Sequence, residues 1–169
     1  MSERTSEGAH LAQRRAVGLD LGSVRIGVAA SDAGGVLASP RTTVRRTRDR
    51  AGDHRRLAAL VAEEGADVVV IGLPLSLDGS VGRAARLVLD ELDELTAALG
   101  VPVVTHDERF TTTTAHQRLA AGGRRSRARR EVVDQSAAAV LLQAWLDGRR
   151  PRAVTPADPT FPAPTEECS

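Results

Sequence analysis

Four segments of this chain carry residue types that could do chemistry together. Asp20 sits in the middle of the apolar run "VGLDLG". An uncompensated carboxylate in a core costs several kcal/mol, so it must pair, take up a proton or hold a metal. A second acidic point is the Asp107-Glu108 step that ends "VPVVTHDE". Alternate residues of a strand share a face, so only one of these two can join a site on a given face. A third is Asp134 in "EVVDQSAAAVLLQAWLDG", where Asp134, Ala138, Leu141 and Trp145 follow helical spacing. Asp134 thus heads an apolar stripe. Carboxylates brought together repel and raise one another's pKa unless a cation lies among them. Oxygen donors without cysteine suit Mg²⁺ or Mn²⁺. Plainer readings exist for each acid alone. Asp20 can be a turn or edge residue, Glu108 can pair with Arg109, and Asp134 can pair with Arg130 one turn before it.

The cations form the other half of the pattern. All 23 basic residues are Arg, so every cation can grip a phosphate bidentately. The fourth segment, "GGRRSRARR", places Arg124, Arg125, Arg127, Arg129 and Arg130 just before the helix of Asp134. Glycines and arginines at that position suit docking of a nucleic acid, while a solvated face is the plainer reading. Arg25 follows the turn after Asp20 and can reach a phosphate or end a strand as an exposed charge. Arg109 can contact a phosphate or balance its acidic neighbours. Residues 41–56 add seven Arg against two Asp. The stretch "GLPLSLDGS" can present backbone N–H groups to phosphate or serve as an ordinary loop. His106 and His116 show no metal-ligand spacing and are read as structural.

The elements that must position these residues follow from periodicity. "RAVGLDLG" and "RIGVAASD" read as two strands around a turn near Gly22-Ser23, and "GGVLASPRTTV" as a third strand edged at Pro40. "RDRAGDHRRLAALVAEEG" reads as a helix stopped by Gly65. "DVVVIGL" is a continuous apolar strand, covered on both faces. "SVGRAARLVLDELDELTAALG" reads as a helix with Ser80 as N-cap and Val81, Ala85, Val88, Leu92, Leu95 and Leu99 inside. "VPVVTHDE" is a further strand, "TTTTAHQRLAAGG" a short helix, and the Asp134 segment the last long helix. On the face of Asp20 lie Gly18 and Gly22, which clear space around the carboxylate. The order βββαβαβαα implies a mixed sheet with helices on its faces.

The whole chain bounds the possibilities. Its 169 residues suggest one domain, over 16–148, between a frayed segment 1–15 and a disordered Pro-rich tail 149–169. A 41% hydrophobic content excludes wholesale disorder, and 2% aromatics removes most base-stacking platforms. The net charge of +1 alone implies no polyanion partner. The single cysteine, Cys168, excludes an internal disulfide. No apolar run has the length of a membrane span or the form of a signal peptide, so the expected location is cytoplasmic.

Together "VGLDLGSVRIGVAASD", "VVVIGLPLSLDGSVG", "DERFTT" and "VVDQSAAAVLLQAWLD" resemble the YqgF family, also called RuvX, over residues 17–147. Its members are described as Holliday junction resolvases and as nucleases that mature the small-subunit ribosomal RNA precursor. The resemblance implies a ribonuclease H-like α/β fold with a mixed five-stranded sheet. It implies an acidic triad of Asp20, Glu108 and Asp134, both catalytic and metal-binding. The implied chemistry is metal-assisted phosphodiester hydrolysis, with Mg²⁺ or Mn²⁺ as cofactor. Two ions about 4 Å apart would activate water and stabilise the leaving oxygen. With one ion, an acid could help to deprotonate water. The implied partner is a structured RNA or a branched DNA, met by a monomer or weak homodimer; processing of ribosomal RNA is favoured and junction resolution is the alternative. Two other classes compete. "DLGSVRIGVAASD" also looks like the phosphate loop of actin-like ATPases, but those enclose nucleotide between two such domains. A non-catalytic nucleic-acid scaffold need not keep all three acids.

Overall fold

The computed structural model describes residues 15–110 and 127–149, and the surroundings of side chains at 15–109 and 137–149. The expected helix at 111–123, Arg124, Arg125, the first 14 residues and the tail from 150 lie outside them. So do the side chains of Arg127, Arg129, Arg130 and Asp134.

Five strands form one sheet: β1 (Ala16–Leu21), β2 (Arg25–Ser31), β3 (Ala38–Arg45), β4 (Val68–Leu73) and β5 (Val103–Asp107). Their order across the sheet is β3-β2-β1-β4-β5. The β1–β2 and β2–β3 pairs are antiparallel, whereas β4 lies parallel to both β1 and β5. The expected mixed five-stranded sheet is therefore present. Pro40 sits in the edge strand, where a missing N–H costs no ladder bond, and the register slips opposite it between Val28 and Ala29.

Among the described residues three helices cover the sheet: α1 (Arg50–Glu63), α2 (Arg83–Leu99) and α3 (Arg127–Arg149). Alternation sorts the strand residues. Val17, Leu19, Val69 and Ile71 pack with Leu57 and Val61 of α1 and with Val88, Leu95 and Leu99 of α2. Ala16, Val68 and Val70 turn the other way, to Ala138, Leu142 and Leu146 of α3. The central strands are apolar throughout because each face has a helix on it.

Among the boundaries that differ from the sequence reading, two have a plain local cause. The helix expected from Ser80 starts at Arg83, with Gly82 as N-cap and no side-chain cap. Ser80 is instead used by a closed turn: Ser76 N–H donates to the Ser80 carbonyl, and Ser80 N–H to Asp78 Oδ1. Val81 therefore precedes the helix and is exposed, outside the apolar stripe. The third strand begins at Ala38, because Asp32 caps a turn through the N–H groups of Val36 and Leu37.

Candidate metal centre and active site

Asp20 is the fifth residue of β1 and is partly buried. It shares the α3 face with Gly18, which serves a purpose other than clearing room for the carboxylate. A Cβ on Gly18 would lie 2.8 Å from Leu142 Cβ and 3.0 Å from the Ala138 carbonyl. Gly18 thus lets α3 lie directly against the sheet, beside Asp20.

The neighbouring strand supplies a residue that sequence reasoning missed. Leu19 pairs with Ile71, so the same register sets Asp20 beside Gly72. Gly72 also pairs with His106 of β5. A Cβ on Gly72 would collide with Glu108 Oε1 and come within 2.9 Å of its Cδ and 3.1 Å of Leu141 Cδ2. Glu108, in the 3₁₀ turn that follows β5, therefore folds its carboxylate back over the bare Gly72 backbone toward Asp20. The signal was available: a lone glycine in a β-branched strand marks a close approach.

The electrostatics agree with that placement. Burial, first, and then the charges of Asp20 and Asp107 push the Glu108 carboxyl up to about 7. Asp107 diverges from its neighbour. Arg109 donates to it from the backbone N–H at 2.9 Å and from Nε at 2.7 Å, and the guanidinium holds Asp107 below the usual carboxylate range. Arg109 also lies against Gly79 and feels the charge of Asp78. Burial pushes His106 below its ordinary pKa, against the pull of Asp107.

The structure thus brings Asp20 and Glu108 together. Asp134 stands on α3 four residues, about one turn, before Ala138 at the Gly18 crossing. Arg25 opens β2, across the hairpin turn from Asp20. In 41–56, five of the seven arginines (Arg41, Arg46, Arg50, Arg55 and Arg56) pair with carboxylates of the chain itself. Two oxygen-donor groups in one half-buried cradle, one with a raised pKa, fit a hard divalent cation, because its charge removes the repulsion between them.

Comparison with known proteins identifies the family. The family model described as "RuvX: Holliday junction resolvase" matches residues 14–148. A Mycobacterium ulcerans protein named "Putative pre-16S rRNA nuclease" is 49% identical over 138 residues, covering 80% of each chain. One of the same name from Mycolicibacterium paratuberculosis is 51% identical over 138 residues, covering 80% of this chain and 81% of its own. Among solved structures, Thermus thermophilus RuvC matches at 15% identity and a TM-score of 0.47, and its complex with a Holliday junction at 15% and 0.49. Each covers 80% of this chain and 95% of the RuvC chain. At that distance the RuvC likeness carries no functional argument. The family match over residues 14–148 and the mycobacterial relatives do: this chain, with its mixed five-stranded sheet, belongs to the RuvX family.

Proposed function

We propose that this protein is a divalent-metal-dependent endonuclease that matures the small-subunit ribosomal RNA precursor. The observation that carries the reading is the Glu108 carboxylate seated over Gly72 against Asp20. Asp20, Glu108 and Asp134 would hold Mg²⁺ or Mn²⁺. The chemistry that a bound divalent cation supplies is activation of water and neutralisation of charge on the phosphodiester. Without it, Glu108 keeps a proton on its carboxyl up to about pH 7. Arg109, tied to Asp107, holds the turn that aims Glu108, and its partly exposed guanidinium would meet a phosphate of the bound strand. Arg25 and the run Arg124, Arg125, Arg127, Arg129 and Arg130 would grip the strand on either side. Those contacts position the backbone and carry no base identity.

A second reading has its own support. The family description names a Holliday junction resolvase, which would act on a four-way DNA junction. Paired cuts on a junction call for two active sites and hence a dimer. Cleavage assays with Mg²⁺ and with Mn²⁺ on precursor ribosomal RNA and on a four-way DNA junction distinguish the two. Faster cleavage of the RNA, by a protein that sediments as a monomer, is expected. Symmetric nicking of the junction with no cut in the RNA would overturn the RNA reading.

A further inference from the structure

Behind the site, on the α1 and α2 face of the sheet, lies a buried chain of charged groups that neither metal binding nor phosphate binding uses. Arg46 follows β3. Its NH1 and NH2 each donate at 2.9 Å to the two oxygens of Glu91 on α2. Its Nε donates at 2.7 Å to the Gly22 carbonyl, and its backbone N–H at 2.9 Å to that of Val24. His54 of α1 meets Glu91 Oε1 at 2.8 Å. The side chains of Glu91 and His54 are 6% and 4% exposed. Gly22 N–H in turn bonds the Asp20 carbonyl at 3.1 Å. One path of hydrogen bonds thus runs from α1 through α2 and Arg46 to the β1–β2 turn and the backbone of Asp20.

An open pocket of about 480 Å³ lies between that turn and the first half of α2, lined by Leu21, Pro74, Leu87 and Val88 as well as the turn and the ion pair. As a stability device the pair is poor, because desolvation of two buried charges offsets most of their attraction. As a strut it is good: the guanidinium is planar, and all three of its nitrogens are engaged in fixed directions.

We propose that Arg46 is a positioning residue: clamped by Glu91, it holds the β1–β2 turn and thereby sets the Asp20 carboxylate for metal binding and catalysis. The inference rests on the reading of Asp20 as a metal ligand. A misplacement of about 1 Å at such a site costs up to a hundredfold in rate.

The test uses the full chain with Arg46→Met/Glu91→Gln, which removes both buried charges and leaves an amide oxygen on α2 to accept from His54. Glu91→Gln alone is the control, because Arg46 can still reach Gly22. Three measurements are made on each protein: hydrogen–deuterium exchange of the amides at 22–25, Mn²⁺ affinity by calorimetry, and kcat and KM for cleavage. In the double variant, turn exchange should rise about tenfold, the effect of losing one hydrogen bond. Mn²⁺ affinity should fall severalfold, and kcat should drop by at least about tenfold with little change in KM. Exchange in β4 and the melting temperature should stay near those of Glu91→Gln. Unchanged turn exchange, or faster exchange with unchanged Mn²⁺ affinity and kcat, overturns the proposal. If the wild-type protein neither binds Mn²⁺ nor cleaves, the functional reading itself fails, and exchange alone decides whether Arg46 holds the turn.

Discussion

Replacing Gly72 by Ala separates the geometry of the site from the stability of the fold. The added methyl would occupy the place of Glu108 Oε1 and press on Leu141 Cδ2 at 3.1 Å. The two neighbours respond differently. Glu108 is the far end of a flexible side chain and can swing away. Moving it out of the cradle also relieves the burial and the Asp20 repulsion that push its pKa up to about 7. Leu141 must give by a few tenths of an ångström, a cost of roughly 1 kcal/mol. Against that, Ala in a strand gains about 0.5–1 kcal/mol over Gly. The net change in stability is therefore expected within about 1 kcal/mol of zero, measured by urea unfolding without metal. Activity should respond far more. With its carboxylate displaced by more than about 1 Å, the variant should lose about a hundredfold in kcat. Near-normal cleavage would show that the seat of Glu108 over Gly72 is irrelevant to function. A loss of about 3 kcal/mol or more in stability would show that Gly72 serves packing against α3 and not the site.

Two further outcomes follow from the same geometry and a third from the sequence. The raised Glu108 pKa means that the folded metal-free protein binds more protons than the unfolded chain between about pH 4.5 and 7, so this group's contribution to stability falls as pH rises through that window. The lowered pKa of His106 acts oppositely below its ordinary 6.5. The slope is therefore read as the difference between wild type and Glu108→Gln, which should approach about 3 kcal/mol by pH 8; no pH dependence in that difference would refute the assignment. Asp107→Asn should cost less activity than Glu108→Gln, since the Asp107 carboxylate is tied to Arg109 and acts on Glu108 only through its charge; equal loss in a cleavage assay would make Asp107 a ligand in its own right. Replacing several of Arg124, Arg125, Arg127, Arg129 and Arg130 by Ala should weaken substrate binding and flatten its salt dependence by roughly 0.7–0.9 per lost contact, while single-turnover cleavage at saturation survives. An unchanged salt slope would return the run to a solvated surface.

How far the molecule was legible depended on the kind of signal. The run "DVVVIGL" announced a central strand because both its faces are buried, "RAVGLDLG" announced a strand but not its central place, and the stripe from Ala85 to Leu99 announced α2 because 3.6-residue periodicity survives any context. The start of α2 was misplaced because Ser80 has the chemistry of a cap, yet its groups are spent on the turn with Ser76 and Asp78. Choosing between Asp107 and Glu108 required the strand's end: β5 stops at Asp107, and the 3₁₀ turn sends Glu108 back over the sheet. Gly72 and Glu91 went unread for a common reason. Each breaks a local pattern, a glycine in an apolar strand and a carboxylate on an inner helical stripe, and each is explained only by a partner far along the chain, Glu108 and Arg46. Such residues are where local consistency gives way to function.

The central claim is that Asp20 and Glu108 together hold a catalytic divalent cation. The most direct test is the single-turnover cleavage rate of precursor ribosomal RNA against Mg²⁺ concentration, for wild type and Asp20→Asn. Wild-type cleavage should rise with Mg²⁺ and saturate, while Asp20→Asn stays at background even at saturating metal and melts no lower than wild type. Cleavage by Asp20→Asn at the wild-type rate, or full wild-type activity in the presence of a chelator, would contradict the account.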